Sequence, residues 1–131
     1  GFTDPDNRRT FPWGKEDFEL IEFHRDMIRI HKRNSVIKTG STKIFAEEKE
    51  LLAFARFNDD AQVITVINLS DEERVVEIPV WAANVPMDCR LQRVMKINQN
   101  LYNVGRVRYK VTDGILKVRM DAMSCKVFKQ L

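Results

Sequence analysis

Two carboxylates and two guanidinium groups lie close together at the start of the chain, in the segment GFTDPDNRRTFPWG. Glycoside hydrolysis requires two carboxylates that flank one bond, and one of them must have a raised pKa. Here Asp4 and Asp6 lie in one loop beside Arg8 and Arg9, and neighbouring cations favour the ionised form of a carboxylate. The segment therefore does not fit a catalytic acid and base by itself.

Binding suits two of these residues better than catalysis does. Arg8 follows Asp4 by four residues, across a turn that Pro5 and Asn7 begin. A carboxylate beside a guanidinium can accept hydrogen bonds from sugar hydroxyls and donate to them, and each such charge-assisted bond contributes about 1.5–3 kcal/mol. Without a ligand the two groups would pair with each other and hold the loop. Spacing alone favours this structural role over binding.

Nucleophilic and phosphate-binding arrangements are not supported. The serines lack the strand–turn–helix setting of a GxSxG nucleophile, and no glycine-rich phosphate loop occurs. The triplet Asn68-Leu69-Ser70 fits a glycosylation acceptor, but it ends a predicted inner strand, which favours a chance match. The four serines in question are Ser35, Ser41, Ser70 and Ser124.

Metal binding is not supported either. His24 and His31 are seven residues apart on a predicted helix, without carboxylates at ligand spacing. Cys89 and Cys125 form no CxxC pair, and buried free thiols are favoured over a disulfide. We therefore expect no metal site and no cofactor.

Length and composition set broad limits on the class of protein. The 131 residues, 44% hydrophobic and 31% charged, predict one globular domain, or one domain with part of another. The apolar runs are too short to cross a bilayer and no signal peptide is visible, so we expect no membrane partner and favour a cytoplasmic location.

The net charge of +3 is mild, and the basic residues of the second half alternate with apolar ones. This pattern is typical of solvated strand faces and does not favour a nucleic-acid partner. The residues concerned are Arg90, Arg93, Lys96, Arg106, Arg108, Lys110, Lys117 and Arg119.

Residues 17–33 are predicted to form a helix. Apolar residues and histidines recur at helical spacing along one stripe, and Asp17 is the predicted N-cap. Phe18, Phe23 and Ile30 lie off that stripe, so the helix is apolar on more than one side. We therefore expect it to pack against other parts of a protein on more than one side. The predicted stripe consists of Leu20, Ile21, His24, Met27, Ile28 and His31.

From about residue 36 the period of the pattern changes from helical to two. Eight short strands at regular spacing predict an antiparallel sandwich or barrel that can fold alone. Asp113-Gly114 is the strongest hairpin signal, and Gln62–Leu69, apolar on both faces, predicts a central strand. The predicted strands are Thr42–Ala46, Leu51–Asn58, Gln62–Leu69, Arg74–Val80, Cys89–Ile97, Arg106–Val111, Ile115–Met120 and Ser124–Lys129.

The segment GFTDPDNRRTFPW resembles a D-P-x-x-R-R run, followed by an aromatic–proline–aromatic stretch, of α-amylase-family glycoside hydrolases. The similarity is to the neopullulanase, cyclomaltodextrinase and maltogenic-amylase branch. DFELIEFHRDMIRIHKRNSVIKTG resembles that family's final barrel helix, and the two segments ELLAFARFNDDAQVITVINLS and KVTDGILKVRMDAMSCKVFKQL resemble strands of its C-terminal all-β domain. Asn7 and the pair Thr10-Phe11 depart from common residues of the branch.

The resemblance implies a fold and a domain organisation. The expected fold is mainly β, an antiparallel Greek-key sandwich of about eight strands preceded by one helix from a (β/α)8 barrel. Residues 1–35 would end the catalytic barrel, and residues 36–131 would form the C-terminal sandwich. The sequence is thus expected to be the C-terminal portion of a longer chain, with the upstream barrel as its partner.

The resemblance also implies the function of the parent enzyme, an α-glucan-acting hydrolase with α-glucan or maltooligosaccharide as substrate. Asp4 and Arg8 match family positions that contact the glucan. The family's catalytic carboxylates belong to motifs that precede this segment, so the chain alone is expected to be inactive and to have a structural role.

A binding module is the alternative function. A sandwich that binds starch or oligosaccharides would expose aromatic side chains, and Trp81 is the main candidate. Its apolar neighbours favour a core or interface position instead, and Phe54 and Phe57 are expected in the core. We also expect the helix to dock onto the sandwich or onto a second copy, so that its aromatic residues are covered.

Overall fold

The structure is a computed structural model that describes residue 3 and residues 10–131. Helix α1 spans Phe18–Arg33 and a short helix, α2, spans Val36–Thr39. The strands are β1 (Ser41–Glu48), β2 (Leu51–Phe57), β3 (Gln62–Asn68), β4 (Arg74–Ile78), β5 (Cys89–Asn98), β6 (Leu101–Thr112), β7 (Ile115–Met120) and β8 (Ser124–Gln130). A 3₁₀ turn at Val80–Ala83 lies between β4 and β5.

The eight strands form one antiparallel sheet in the order β1-β2-β3-β8-β5-β6-β7-β4. Three consecutive strands, β5, β6 and β7, are joined by hairpins, and β4 returns beside β7, which is a Greek-key arrangement. Residues from both ends of the sheet share one hydrophobic core, so the sheet folds over on itself. The predicted mainly β, Greek-key fold class is confirmed.

The core lies between the two halves of the folded sheet. Ile64 and Val66 of β3 and Phe128 of β8 meet Leu116 of β7 there, and all four are fully buried. Val80 and Ala83 of the 3₁₀ turn join the same cluster and close one end of it. Phe57 packs against this core as predicted, whereas Phe54 lies half-buried on the opposite face of β2.

That opposite face, called the outer face below, is also apolar. Directly paired residues of neighbouring strands have side chains on the same face. One row across five strands therefore shares the outer face, and it consists of Leu52, Ile67, Cys125, Ile97 and Tyr102. All five are half-buried, and the adjacent Met95 is fully buried. The predicted central position of β3 follows from this arrangement.

Helix α1 lies against the outer face at Tyr102. The rings of Phe23 and Tyr102 meet edge to face at 5.1 Å, and the Tyr102 hydroxyl donates to Asp26 Oδ2 at 3.0 Å. Phe23 and Ile30 are half-buried on this side of the helix. The helix thus contacts the sandwich through residues that lie off the predicted stripe, but Phe18 remains 72% exposed, so the expected cover of its aromatic residues is only partial.

Turn residues account for the hairpins. Asp113 and Gly114 both have positive φ, 51° and 75°, which a two-residue hairpin turn between β6 and β7 requires. Strand β6 begins earlier than predicted, at Leu101, because its pairing with β5 continues to Asn98. The interval of residues 98–105 between the two predicted strands therefore shrinks to a turn at residues 99–100.

The two edge strands carry features that disfavour pairing with a further strand. Strand β1 is interrupted by a bulge between Ile44 and Ala46 and exposes Glu47 and Glu48. Strand β4 has five residues only and exposes Glu77. Among the described helices, none is both long and apolar enough to span a membrane.

Substitution Phe128→Ala should lower the free energy of unfolding by about 3–5 kcal/mol, because it leaves a cavity in the core. The Phe128 ring is fully buried and contacts Tyr109 at 5.0 Å. Urea denaturation followed by circular dichroism measures the change. The control Phe18→Ala removes an exposed ring and should change stability by no more than about 0.5 kcal/mol. Equal losses in both variants would contradict this core.

The carboxylate of Asp121 should make stability depend on pH. Its hydrogen bond with Lys96 (2.9 Å between Nζ and Oδ2) holds the pKa of Asp121 below the ordinary 3.8. A lowered pKa in the folded state stabilises the protein above the unfolded-state pKa, and the contribution is lost as pH falls through the folded-state value. Asp121→Asn should therefore be less stable than wild type at pH 7, and the difference should shrink as the pH falls below 3.8.

Urea denaturation at pH 7, 4 and 2.5 measures this difference. Glu47→Gln, which removes an exposed carboxylate of β1, is the control and should track the wild type at every pH. A constant difference between Asp121→Asn and wild type across this range would contradict the assignment.

Candidate functional site

The two residues predicted to bind substrate, Asp4 and Arg8, lie outside the described residues. Their geometry is therefore not tested, and their role stays a prediction. The described chain resumes at Thr10, directly after this segment, and leads through an aromatic turn into α1.

The aromatic turn exposes two rings next to the predicted site in sequence. The backbone N–H of Trp13 donates to the carbonyl oxygen of Phe11 at 2.8 Å, and that of Lys15 donates to Pro12 at 2.9 Å. The rings of Phe11 and Trp13 meet edge to face at 4.8 Å, and both are exposed. The stretch FPW therefore forms a tight turn that presents an apolar surface a few residues after Asp4 and Arg8 in the sequence.

Helix α1 begins where the sequence predicts. Oδ1 of Asp17 accepts a hydrogen bond from the backbone N–H of Leu20 at 3.0 Å, as an N-cap does. Lys32 and Arg33 lie in the last turn, where the helix dipole favours positive charge. The cap thus fixes the point at which the irregular N-terminal segment becomes helical.

The predicted apolar stripe of α1 does not face the sheet. Leu20, Met27 and Ile28 remain 52%, 44% and 52% exposed, although Phe23 on another side of the same helix is in contact with Tyr102. The stripe and the docked side point in clearly different directions around the helix, as expected from 3.6 residues per turn. Helix α1 therefore has one side on the sheet and one apolar side open.

A groove of about 740 Å³ separates the first half of α1 from the β5–β6 hairpin tip. Phe18 and Leu20 line it on the helix side, and Leu101 and Tyr102 on the hairpin side. Desolvation and, to a smaller extent, the hydrogen bond to Asp26 raise the pKa of Tyr102 above its usual value. The hydroxyl therefore stays protonated near neutral pH and continues to donate to that carboxylate. Three carboxylates, those of Asp17, Glu19 and Glu22, line the groove together with these apolar side chains.

Trp81 does not lie in the core, which was one of its two predicted positions. It lies in the 3₁₀ turn with 54% of its surface exposed, because the turn buries Val80 and Ala83 rather than Trp81. Its backbone N–H donates to the carbonyl oxygen of Gly114 at 3.2 Å. Sequence reasoning missed this exposure because it placed Trp81 by its apolar neighbours Val80, Ala82 and Ala83, which does not show which side of a turn faces the core.

The thiols and histidines show no reactive arrangement. Both cysteines are free and half-buried, and burial raises the pKa of Cys125 to about 11, which keeps it protonated near neutral pH. His24 and His31 lie exposed on α1, where His24 Nδ1 donates to the carbonyl oxygen of Leu20. Within residues 10–131 and residue 3, no group of three metal-ligating side chains comes together.

The remaining candidate groups have structural roles. Asn68 is fully buried, and its amide donates to the carbonyl oxygens of Glu72 and Asp121, so it is not accessible for glycosylation. The hydroxyls of Ser70 and Ser124 donate to Glu72 and Asp121 carbonyl oxygens in the same network. These residues tie together the loops at one end of the sheet.

No protein-family model matches the chain. The chain is 34% identical over 135 aligned residues to amylopullulanase from Thermoanaerobacterium saccharolyticum, which covers 95% of this chain and 10% of the relative. It is 30% identical over 95 residues to neopullulanase 2 from Thermoactinomyces vulgaris, with 68% of this chain and 16% of the relative covered. The chain thus spans a tenth to a sixth of the length of these relatives.

The fold agrees with these similarities. A crystal structure of an α-amylase from Geobacillus thermoleovorans, complexed with acarbose, superposes over 98% of this chain and 26% of that one, with a TM-score of 0.79 and 17% identity. A debranching enzyme from Nostoc punctiforme superposes over 95% of this chain with a TM-score of 0.68 and 21% identity. On sequence similarity, with the fold in agreement, the chain belongs to the α-amylase family of glycoside hydrolases and corresponds to a segment of such proteins.

Proposed function

We propose that this chain is the C-terminal portion of an α-glucan-acting glycoside hydrolase. Residues 1–35 complete the catalytic (β/α)8 barrel of the same polypeptide, and residues 36–131 form the C-terminal sandwich. Asp4 and Arg8 bind the glucan, while the catalytic carboxylates come from earlier motifs, so the chain alone does not hydrolyse glucans. The relatives support this proposal by their names and by the small share of each that the chain spans.

The observation that carries the proposal is the open apolar side of α1. Leu20, Met27 and Ile28 are about half exposed on a helix that already packs against the sheet elsewhere. Burying such a side chain contributes about 1.5–3 kcal/mol, so a surface that covers all three would stabilise the enzyme substantially. A helix that closes a barrel has the sheet of the barrel on one side and a further domain on another, which fits α1.

The charges and rings before α1 suit a sugar-binding role. At neutral pH the carboxylate of Asp4 accepts hydrogen bonds and the guanidinium of Arg8 donates them, so together they match adjacent hydroxyls. The exposed rings of Phe11 and Trp13 follow directly in the chain and offer an apolar surface for the C–H faces of a sugar. Polar recognition and apolar contact would thus come from one segment.

The sandwich has a structural role in this proposal. Its core is complete without α1, whereas α1 depends on Tyr102 of the sheet for its buried contacts. The hydroxyl of Tyr102 and the carboxylate of Asp26 fix the helix at one rotation about its axis. The sandwich would thereby orient α1 and the loop that precedes it toward the barrel.

Alanine substitution of Asp4 or Arg8 in the intact enzyme should lower kcat/KM for maltooligosaccharides about 10- to 150-fold, because each removes charge-assisted hydrogen bonds to the glucan worth about 1.5–3 kcal/mol. Steady-state kinetics on maltoheptaose measures the loss. Asp59→Ala, which removes an exposed carboxylate between β2 and β3, should leave kcat/KM unchanged.

Two results would contradict this assignment. One is kcat/KM within twofold (about 0.4 kcal/mol) of wild type in both Asp4→Ala and Arg8→Ala. The other is release of reducing sugar from maltoheptaose by the purified 131-residue chain, since the proposal places the catalytic carboxylates elsewhere.

Ile28→Glu should lower the free energy of unfolding of the intact enzyme much more than that of the isolated chain. In the isolated chain the side chain is half exposed, so stability should change by no more than about 0.5 kcal/mol. In the intact enzyme the same carboxylate would be buried without a partner and should lower the unfolding free energy by about 3–5 kcal/mol.

Thermal and urea denaturation of both proteins measure the two effects. Arg25→Glu, on the charged side of α1, is the matched control and should have a small effect in both, since it disturbs only an exposed ion pair with Glu22. An intact enzyme that tolerates Ile28→Glu as well as Arg25→Glu would show that the stripe stays open.

A further inference from the structure

Strand β6 has an open edge over most of its length, although it lies inside the strand order of the sheet. Of its 12 residues, Val111 and Thr112 alone pair with β7, whereas β5 pairs with β6 from Leu101 to Val111 on the other side. We propose that this β6 edge, Leu101–Lys110, receives an added β-strand, an extended segment with acidic residues at every second position. The segment would come from the longer polypeptide outside residues 1–131, and this source rests on the proposed function.

The edge is open because β6 and β7 separate after their hairpin. Strand β7 pairs with β4 along Leu116–Met120, in the other half of the folded sheet. Among the described strands, none therefore pairs with Leu101–Lys110 on the side away from β5. In an antiparallel pair every second residue directs its N–H and C=O away from the partner strand. The β6 edge thus offers backbone groups to which an extended segment can hydrogen-bond.

The side chains along the β6 edge leave apolar surface open on both faces of the sheet. Val104 pairs with Met95 on the outer face and is 47% exposed, and Val107, on the core face, is 46% exposed. In the neighbouring β5, by contrast, Leu91 and Met95 are fully buried. A strand beside β6 would cover both valines, because side chains of neighbouring strands pack against each other on each face.

Cations on β6 indicate the chemistry of the added strand. Arg106, Arg108 and Lys110 are exposed at alternate positions, and the exposed Arg90 of β5 lies directly opposite Lys110. Like charges directly opposite each other destabilise a sheet. Within the part of the chain that the structure describes, none of these four side chains forms an ion pair. Carboxylates at every second position of a neighbouring strand would share one face with Arg108 and Lys110 and neutralise them.

The same charges disfavour a second copy as the source of the added strand. Two β6 edges paired with each other would bring Arg106, Arg108 and Lys110 of both copies together, where they repel. Charged side chains on an open edge also deter pairing with strands that carry no acidic residue. The charges of the β6 edge therefore favour an acidic strand over other strands.

The small size of the β6 edge favours a strand from the same polypeptide over a separate protein. A stable interface between separate proteins takes about 20–30 residues from each side, more than β6 has in total. A tethered segment needs fewer contacts, because its effective concentration is on the order of millimolar. The relatives contain enough further chain for such a segment, since this chain covers 10% and 16% of two of them.

A synthetic peptide tests the edge in the 131-residue chain. A short capped peptide of alternating valine and glutamate, titrated by nuclear magnetic resonance, should shift the backbone amides of residues 103–110 and saturate below about 10 mM. Arg108→Glu should weaken this binding at least about tenfold. The matched control Lys43→Glu, which makes the same change of charge at an exposed position of β1, should bind as wild type does.

Two control peptides keep the test valid even if Arg108→Glu does not fold. A peptide with lysine in place of glutamate should not bind, because it repels the cations of β6. A peptide with the same carboxylates and an N-methylated backbone should not bind either, because it cannot donate hydrogen bonds to a strand edge.

Hydrogen exchange in the intact enzyme tests the source of the strand. Where the edge is already occupied, the amides of residues 103–110 that point away from β5 should exchange at least about tenfold more slowly than in the isolated chain. The added peptide should then leave these amides unshifted. The amide of Asp59, in the exposed turn between β2 and β3, is the control and should exchange equally in both proteins.

Several results would overturn the proposal. These are no binding at about 10 mM peptide, equal binding of either control peptide, or wild-type affinity in Arg108→Glu. Fast exchange of the edge amides in the intact enzyme, with the peptide still bound, would overturn the tethered source and identify a separate acidic protein as the partner. A dimer that the peptide dissociates would identify a second copy. The proposed function is tested separately, because the peptide experiment uses neither Asp4 nor Arg8.

Discussion

The structure depends on one constraint, which is that the half of the sheet around β3 is apolar on both of its faces, whereas β7 exposes Lys117 and Arg119 on its outer face. On β3, Ile64 and Val66 point into the core, and Ile67 lies on the outer face with Cys125 of β8. Because apolar surface on either face is costly in water, such a sheet needs two covers. The sheet supplies the first by folding over on itself, and α1 approaches the second at Tyr102.

Few contacts hold α1 against the outer face of the sheet. No residue of the helix is fully buried, and its described links to the sheet concentrate on Tyr102, through the Phe23 ring and the Asp26 carboxylate. Contacts with Tyr102 can orient the helix, while burial of its open apolar stripe would stabilise it. The open stripe around Met27 is the place where that stabilisation would occur in a longer protein.

The strands could be predicted from sequence because their signals are local. Alternation along Gln62–Leu69 and the Asp113-Gly114 pair reflect side-chain period and turn geometry, which depend on neighbouring residues only. Which side of α1 meets the sheet was not predictable, since Tyr102 is 76 residues from Asp26 in the chain. The exposure of Trp81 depends equally on distant contacts, namely on how the 3₁₀ turn lies against Gly114. The roles of Asp4 and Arg8 stay predictions.

The edges of the sheet bear on how this domain behaves in solution. Every open sheet presents unpaired N–H and C=O groups along its two outermost strands, where another chain can add. Here β1 is bent by its bulge and carries Glu47 and Glu48, and β4 is too short to guide a long partner. These features disfavour the addition of a strand from another molecule at either edge.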